Sequence, residues 1–136
     1  MKRPVELVQE VITKSNFPYD DIFFDAIPKE EGNSIEKTQI LLREAKSGPE
    51  DYGNSEFVSF LYGVYIQIFY ANTEKVEIDI MASEIDLMRI LMNQNWLITR
   101  SQEHYLDPDT RQMIKNLTVQ RTMTLSELAN SEFINN

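Results

Sequence analysis

The sequence predicts a single α+β domain over residues 1–136, in which a mostly antiparallel sheet of about four to five strands is packed by an amino-terminal helix and one long central helix. Three observations lead there. Residues Phe57 to Tyr70 alternate apolar and other residues at period two, two further stretches repeat their apolar residues at helical spacing, and two late strand-like runs flank an Asp-Pro-Asp turn. A chain of 136 residues buries roughly two thirds of its unfolded surface, enough for one core and too little for two.

The elements follow in order. Pro4 suits a first helical turn, and Val5, Val8, Val11 and Ile12 recur at helical spacing, giving an amphipathic helix from Pro4 to Lys14 that Ser15, Asn16 and Pro18 stop. Ile22 to Ala26 reads as a short strand ending before Pro28, and Gly32-Asn33 marks a connecting turn. Thr38 to Ala45 is a second strand, followed by a loop from Lys46 to Ser55. In Phe57 to Tyr70, Val58, Phe60, Tyr62, Val64, Ile66, Ile68 and Tyr70 share one face. Fourteen residues would span about 46 Å, so either Gly63 marks a bulge or one end projects beyond the core.

Asn72 or Thr73 caps the expected central helix, Glu74 and Glu77 suit its first turn, and Asn93 to Asn95 end it. Its apolar residues cover more than half the circumference, which calls for two packing partners, the sheet and either the amino-terminal helix or something else. Trp96 to Thr99 and Met113 to Met123 read as paired strands, with Trp96 buried against the central helix. Residues 124–136 carry one turn of helix around Leu125 and Leu128.

Composition narrows function. Thirteen Lys+Arg against 22 Asp+Glu give a net charge of −9, which disfavours tight binding to a phosphate backbone. Without cysteine there is no disulfide, thiolate zinc site or cysteine nucleophile. Glu6, Gln9 and Glu10 interrupt what a signal peptide would keep apolar, and no stretch is long enough for a membrane helix, so a soluble protein is expected. The single histidine, His104, lies among Glu103, Asp107 and Asp109, but acidic residues around Pro108 are what a solvated turn contains, and the spacing is no known ligand pattern. No glycine-rich phosphate loop exists, and neither a catalytic residue, a metal nor a cofactor is expected. Met81, Met88 and Met92 on one helix read as core filling or as an adaptable binding surface.

The segments Gln39 to Ala45, Gly48-Pro-Glu-Asp-Tyr-Gly-Asn54, Tyr62-Gly-Val-Tyr-Ile-Gln-Ile-Phe-Tyr70, Trp96-Leu-Ile98 and Asp107-Pro-Asp-Thr110 together resemble a family of small tail-component proteins of siphophages and prophages of Gram-positive bacteria. The resemblance runs from about Pro4 to Thr122, and the order of elements is similar to the tail-terminator fold. It implies a non-enzymatic virion protein, made in the host cytoplasm, whose hexameric ring ends tail-tube growth and joins tail to head. Implied partners are further copies of the chain, the major tail tube protein and a head-completion or connector protein, with DNA passing through and no membrane involved.

On that reading Tyr52, Tyr62, Met81, Met88 and Tyr105 are candidate subunit or tail-tube contacts, and Asp20, Asp21, Glu30, Glu31, Glu50 and Asp51 are candidate lumen acids. The alternatives are another head–tail joining or tail assembly component, or a small-molecule-binding or enzymatic α/β domain with a pocket near His104 and Tyr105.

Overall fold

The computed structural model describes residues 1–30, 35–53, 56–72 and 78–133, with side chains to residue 130. Helix α1 (Pro4–Lys14) forms as expected: Pro4 occupies the first turn, and Val5, Val8, Val11 and Ile12 are buried on one side. Just before it, Arg3 bonds Asp25 at 2.9 Å and Glu44 at 3.0 Å, tying the helix start to the sheet. These hydrogen bonds hold the Asp25 carboxyl below its ordinary range.

The strands are β1 (Asp21–Phe24), β2 (Gln39–Glu44), β3 (Gly48–Gly53), β4 (Glu56–Phe69), β5 (Leu97–Ser101), β6 (Tyr105–Leu106) and β7 (Met113–Thr124). They form one mixed sheet of order β1-β2-β4-β7-β5, with β3 pairing β4 and β6 pairing β7. The expectation of about four to five mostly antiparallel strands is thus corrected to a mixed sheet of seven among the described residues. Strand β1 runs parallel to β2, a direction that period-two patterning does not encode. Strand β3 occupies the stretch expected to be a loop. Its Gly48, Pro49 and Gly53 carry loop chemistry, yet a proline is compatible with a strand paired on one side only.

The central helix α2 (Ile80–Asn93) is also shorter than expected. It starts at Ile80, where Asp79 accepts a hydrogen bond from the Ala82 amide at 3.1 Å; the expected cap Thr73 and the acids Glu74 and Glu77 lie outside the described residues. At its end Asn95 takes a left-handed φ of 68°, while the amides of Asn95 and Trp96 return to Met92 and Leu91 carbonyls at 3.0 and 2.9 Å. This is a Schellman motif with asparagine in the glycine position, and it drops Trp96 into the core at 1% exposure. Helix α3 (Leu125–Phe133) exceeds the single expected turn. Thr124 and Glu127 cap it reciprocally, and Leu128 is buried.

All this cover lies on one side of the sheet. Val64, Ile66 and Ile68 of β4, Ile40 and Leu42 of β2, and Leu117 and Val119 of β7 meet α1, Leu87, Leu91 and Trp96 in one cluster. Arg43, Tyr65, Gln67, Asn116 and Thr118, on alternate positions of the same strands, take the opposite face.

Candidate functional site

The first distinctive surface is an arm built by β3 and the start of β4. Glu44 pairs with Val64 while Gly48 pairs with Leu61, so three residues on one strand oppose two on the other, a bulge of one residue. Gly63 makes it possible. A Cβ there would meet the Lys46 carbonyl oxygen at 2.4 Å, while Gly63 as it stands accepts from the Ala45 amide at 2.9 Å and donates to Ser47 Oγ at 3.1 Å. The expected bulge at Gly63 is therefore present, with the extra residue on the partner strand.

Past the bulge, β7 pairs β4 only as far as Ser59, so β3 is the one strand paired with residues 56–57. The arm exposes Tyr52 (72%), Val58 (52%) and Phe57. At its base, Phe60 packs edge-on to Tyr62 with ring centroids 5.6 Å apart, and Met1, Phe57, Phe60, Leu125 and Leu128 outline an apolar cleft of about 280 Å³.

The second surface is the outer side of α2. Met81 (60%), Ile85 and Met92 (57%) are exposed and, with half-buried Met88, fall in one stripe roughly 100° around the helix from Leu87 and Leu91. Helix α1 leaves this stripe uncovered. The two apolar sides inferred from the sequence are real, and one of them faces solvent.

A third surface lies on the open sheet face. Arg43 pairs with Tyr65, Tyr65 with Thr118, and Thr118 with Arg100, giving a transverse row across four strands. A register slip between Ile98 and Arg100 puts Arg100 there, because without it the arginine would share the core-facing side with Ile98. Together with Gln67 and Asn116 these residues line a groove of about 180 Å³.

Around His104 the structure assembles a different constellation from the expected one. Glu84, 2% exposed on α2, accepts from the Tyr70 hydroxyl at 2.5 Å and lies 2.7 Å from His104 Nε2, both through Oε2. Burial, and then the adjoining Glu84 carboxylate, push the Tyr70 hydroxyl above its ordinary pKa. Asp107 instead accepts amides of Asp109 and Thr110 and shapes its turn. The Glu84 bridge joins α2, the end of β4 and the segment before β6, which is a clamp between elements. Its sequence signal is a carboxylate inside the apolar arc of a helix, where it requires a partner.

Of the candidate contacts, Tyr52 and Met81 are exposed, and Tyr105 is exposed beside Asn116, whose side-chain amide donates to its hydroxyl at 3.4 Å. Met88 is half-buried against the core. Tyr62 is buried on the covered side of β4, its hydroxyl donating to the Lys2 carbonyl at 2.9 Å and its side chain lining the cleft at the base of the arm.

The candidate lumen acids do not form one patch. Asp20 accepts the Thr38 amide at 2.7 Å and Asp21 lies 3.7 Å from Lys37, at the end of the sheet where Gln39 pairs with Phe69. Glu50 and Asp51 are on the arm, with Glu50 opposite Ser59, about 33 Å away along β4. Glu30 is exposed, and Glu31 lies outside the described residues. Among the described residues there is no group of three or more His, Asp or Glu placed to hold a metal, and no helix is long and apolar enough to cross a membrane.

Residues 2–124 match the family described as "Protein of unknown function (DUF806)", and the chain belongs to that family. No curated protein matches it.

Proposed function

We propose that this DUF806 chain is a structural protein of a phage tail, the terminator whose hexameric ring ends tail-tube growth and joins tail to head. The observation that carries the reading is apolar surface exposed in two separate places, the arm with Tyr52, Phe57 and Val58 and the α2 stripe with Met81, Ile85 and Met92. Separate apolar patches suit a subunit that must meet both the neighbouring copies of a ring and a second protein. The likeness of Tyr62 to Tyr70 and of the Tyr-Gly-Asn segment to siphophage tail components supports the same reading. The ring would contact the major tail tube protein on one side and a head-completion or connector protein on the other, in the virion after assembly in the host cytoplasm. A chain at −9 would let DNA through without holding it.

Sedimentation velocity of the purified protein tests assembly, with a discrete hexamer expected. Removal of the gene from the phage tests the role: tail tubes should overgrow and fail to join heads. Tails of normal length would refute the terminator role and favour a joining or assembly-factor role.

A further inference from the structure

We infer that the acidic arm of one copy docks in the arginine-flanked groove on the open sheet face of the next copy. The inference rests on the ring reading above and adds its contact and direction. Arg43 and Arg100 stand three strand spacings apart, about 14 Å, with Tyr65 and Thr118 between them. No carboxylate lines the groove. Neither arginine has a carboxylate within ion-pair distance among the described residues. In a chain carrying −9, two cations with no carboxylate at hand on one face make a site for an acidic group.

The arm supplies that chemistry. Residues 48–58 hold Glu50, Asp51 and Glu56 and no lysine or arginine, a charge of −3. Glu50 accepts from the Thr122 hydroxyl at 3.0 Å and Asp51 from the Ser59 hydroxyl at 2.7 Å, neutral partners that fix the carboxylates and leave their charge in place. Tyr52 adds an exposed ring that can lie on an arginine or on Tyr65.

Arm and groove cannot meet within one chain. Both are parts of β4, where Phe57 and Tyr65 are eight residues apart, about 26 Å of continuous strand. The contact is therefore between copies, and in a ring each copy offers its arm to one neighbour and its groove to another, head to tail.

Charge reversal tests this with two variants, E50K/E56K on the arm and R43E/R100E in the groove. Each alone should lose assembly affinity by roughly tenfold or more, since like charges then face each other. Mixed one to one they should assemble again into an alternating ring, because each reversed arm meets a reversed groove and each native arm a native groove. When both variants keep the wild-type urea midpoint, a loss that mixing does not rescue overturns the inference. If the wild type forms rings and both variants do so equally well, the docking fails while the ring reading stands. A wild type that stays monomeric at every concentration removes both. Retention of duplex DNA that disappears in R43E/R100E with assembly unchanged would give the groove to DNA and overturn the docking.

Discussion

Replacing Gly63 by alanine is the sharpest single perturbation of this fold, because two effects of opposite sign compete. Alanine restricts the unfolded chain and, where the native site tolerates it, stabilises by about 0.4–1 kcal/mol. Here the added Cβ would lie 2.4 Å from the Lys46 carbonyl oxygen and 3.2 Å from Ala45 Cβ, and the first of these neighbours is backbone that cannot rotate aside. The strands must part by roughly an ångström to reach ordinary contact. Overpacking of that kind costs about 1–3 kcal/mol. Parting also weakens the bonds from the Ala45 amide to Gly63 O and from Gly63 N–H to Ser47 Oγ, each contributing about 0.5–1.5 kcal/mol. Less the ~0.4–1 kcal/mol gained through the unfolded chain, G63A should lose about 1–5 kcal/mol, a large share of the 5–15 kcal/mol typical of a domain. Urea unfolding followed by Trp96 fluorescence measures it. A midpoint equal to or above the wild type would show that the bulge accommodates a methyl group, and the close-approach argument would be wrong. Protein that still folds should assemble poorly, because parting the strands at Gly63 disturbs the register that carries β3 into the arm.

Three further outcomes are expected. Trp96→Ala should cost about 3–5 kcal/mol in urea unfolding, since the indole is buried at the end of α2 among the core residues. Tyr52→Ala should leave the thermal midpoint within a degree or two, roughly the effect of a neutral surface change, while weakening assembly in sedimentation; a large stability loss with assembly intact would make the tyrosine part of the fold. Stability should fall as pH rises above about 10, because Tyr70 holds its proton more tightly folded than unfolded. That contribution is complete below the unfolded value and is lost as pH climbs toward the higher folded one, so Tyr70→Phe should flatten the alkaline limb of urea midpoints measured from pH 9 upward.

What the sequence revealed divides by physical cause. Helix α1 was legible to the residue because proline, apolar spacing and the breakers Ser15, Asn16 and Pro18 agree, and β4 and β7 were legible because one face of each is covered and period two survives. Strand β3 was not, since Gly48, Pro49 and Gly53 speak for a loop and its pairing with β4 outweighs them. The start of α2 was misplaced because apolar Val76 and Ile78 continue the helical spacing upstream of the Asp79 cap. The clamp of Glu84, Tyr70 and His104 joins residues 14 and 20 positions apart, and the arginine row joins four strands. Both depend on register, which periodicity within a segment does not carry.

Register also connects the surfaces available for assembly. The extra residue opposite Gly63 sets the register in which β3 continues along β4 into the arm, and the slip between Ile98 and Arg100 turns an arginine from the covered face to the open one. A two-layer domain stabilises itself through one sheet face alone, where Ile66, Ile68, Leu117 and Val119 meet the helices. The other face contributes little to that core, so a charge can be placed there at small cost in stability. Substitutions at Arg43, Arg100, Glu50 and Glu56 should consequently change assembly without moving the unfolding midpoint, while those at Gly63 should change both, because that residue alone among them touches the backbone crossing that fixes the arm.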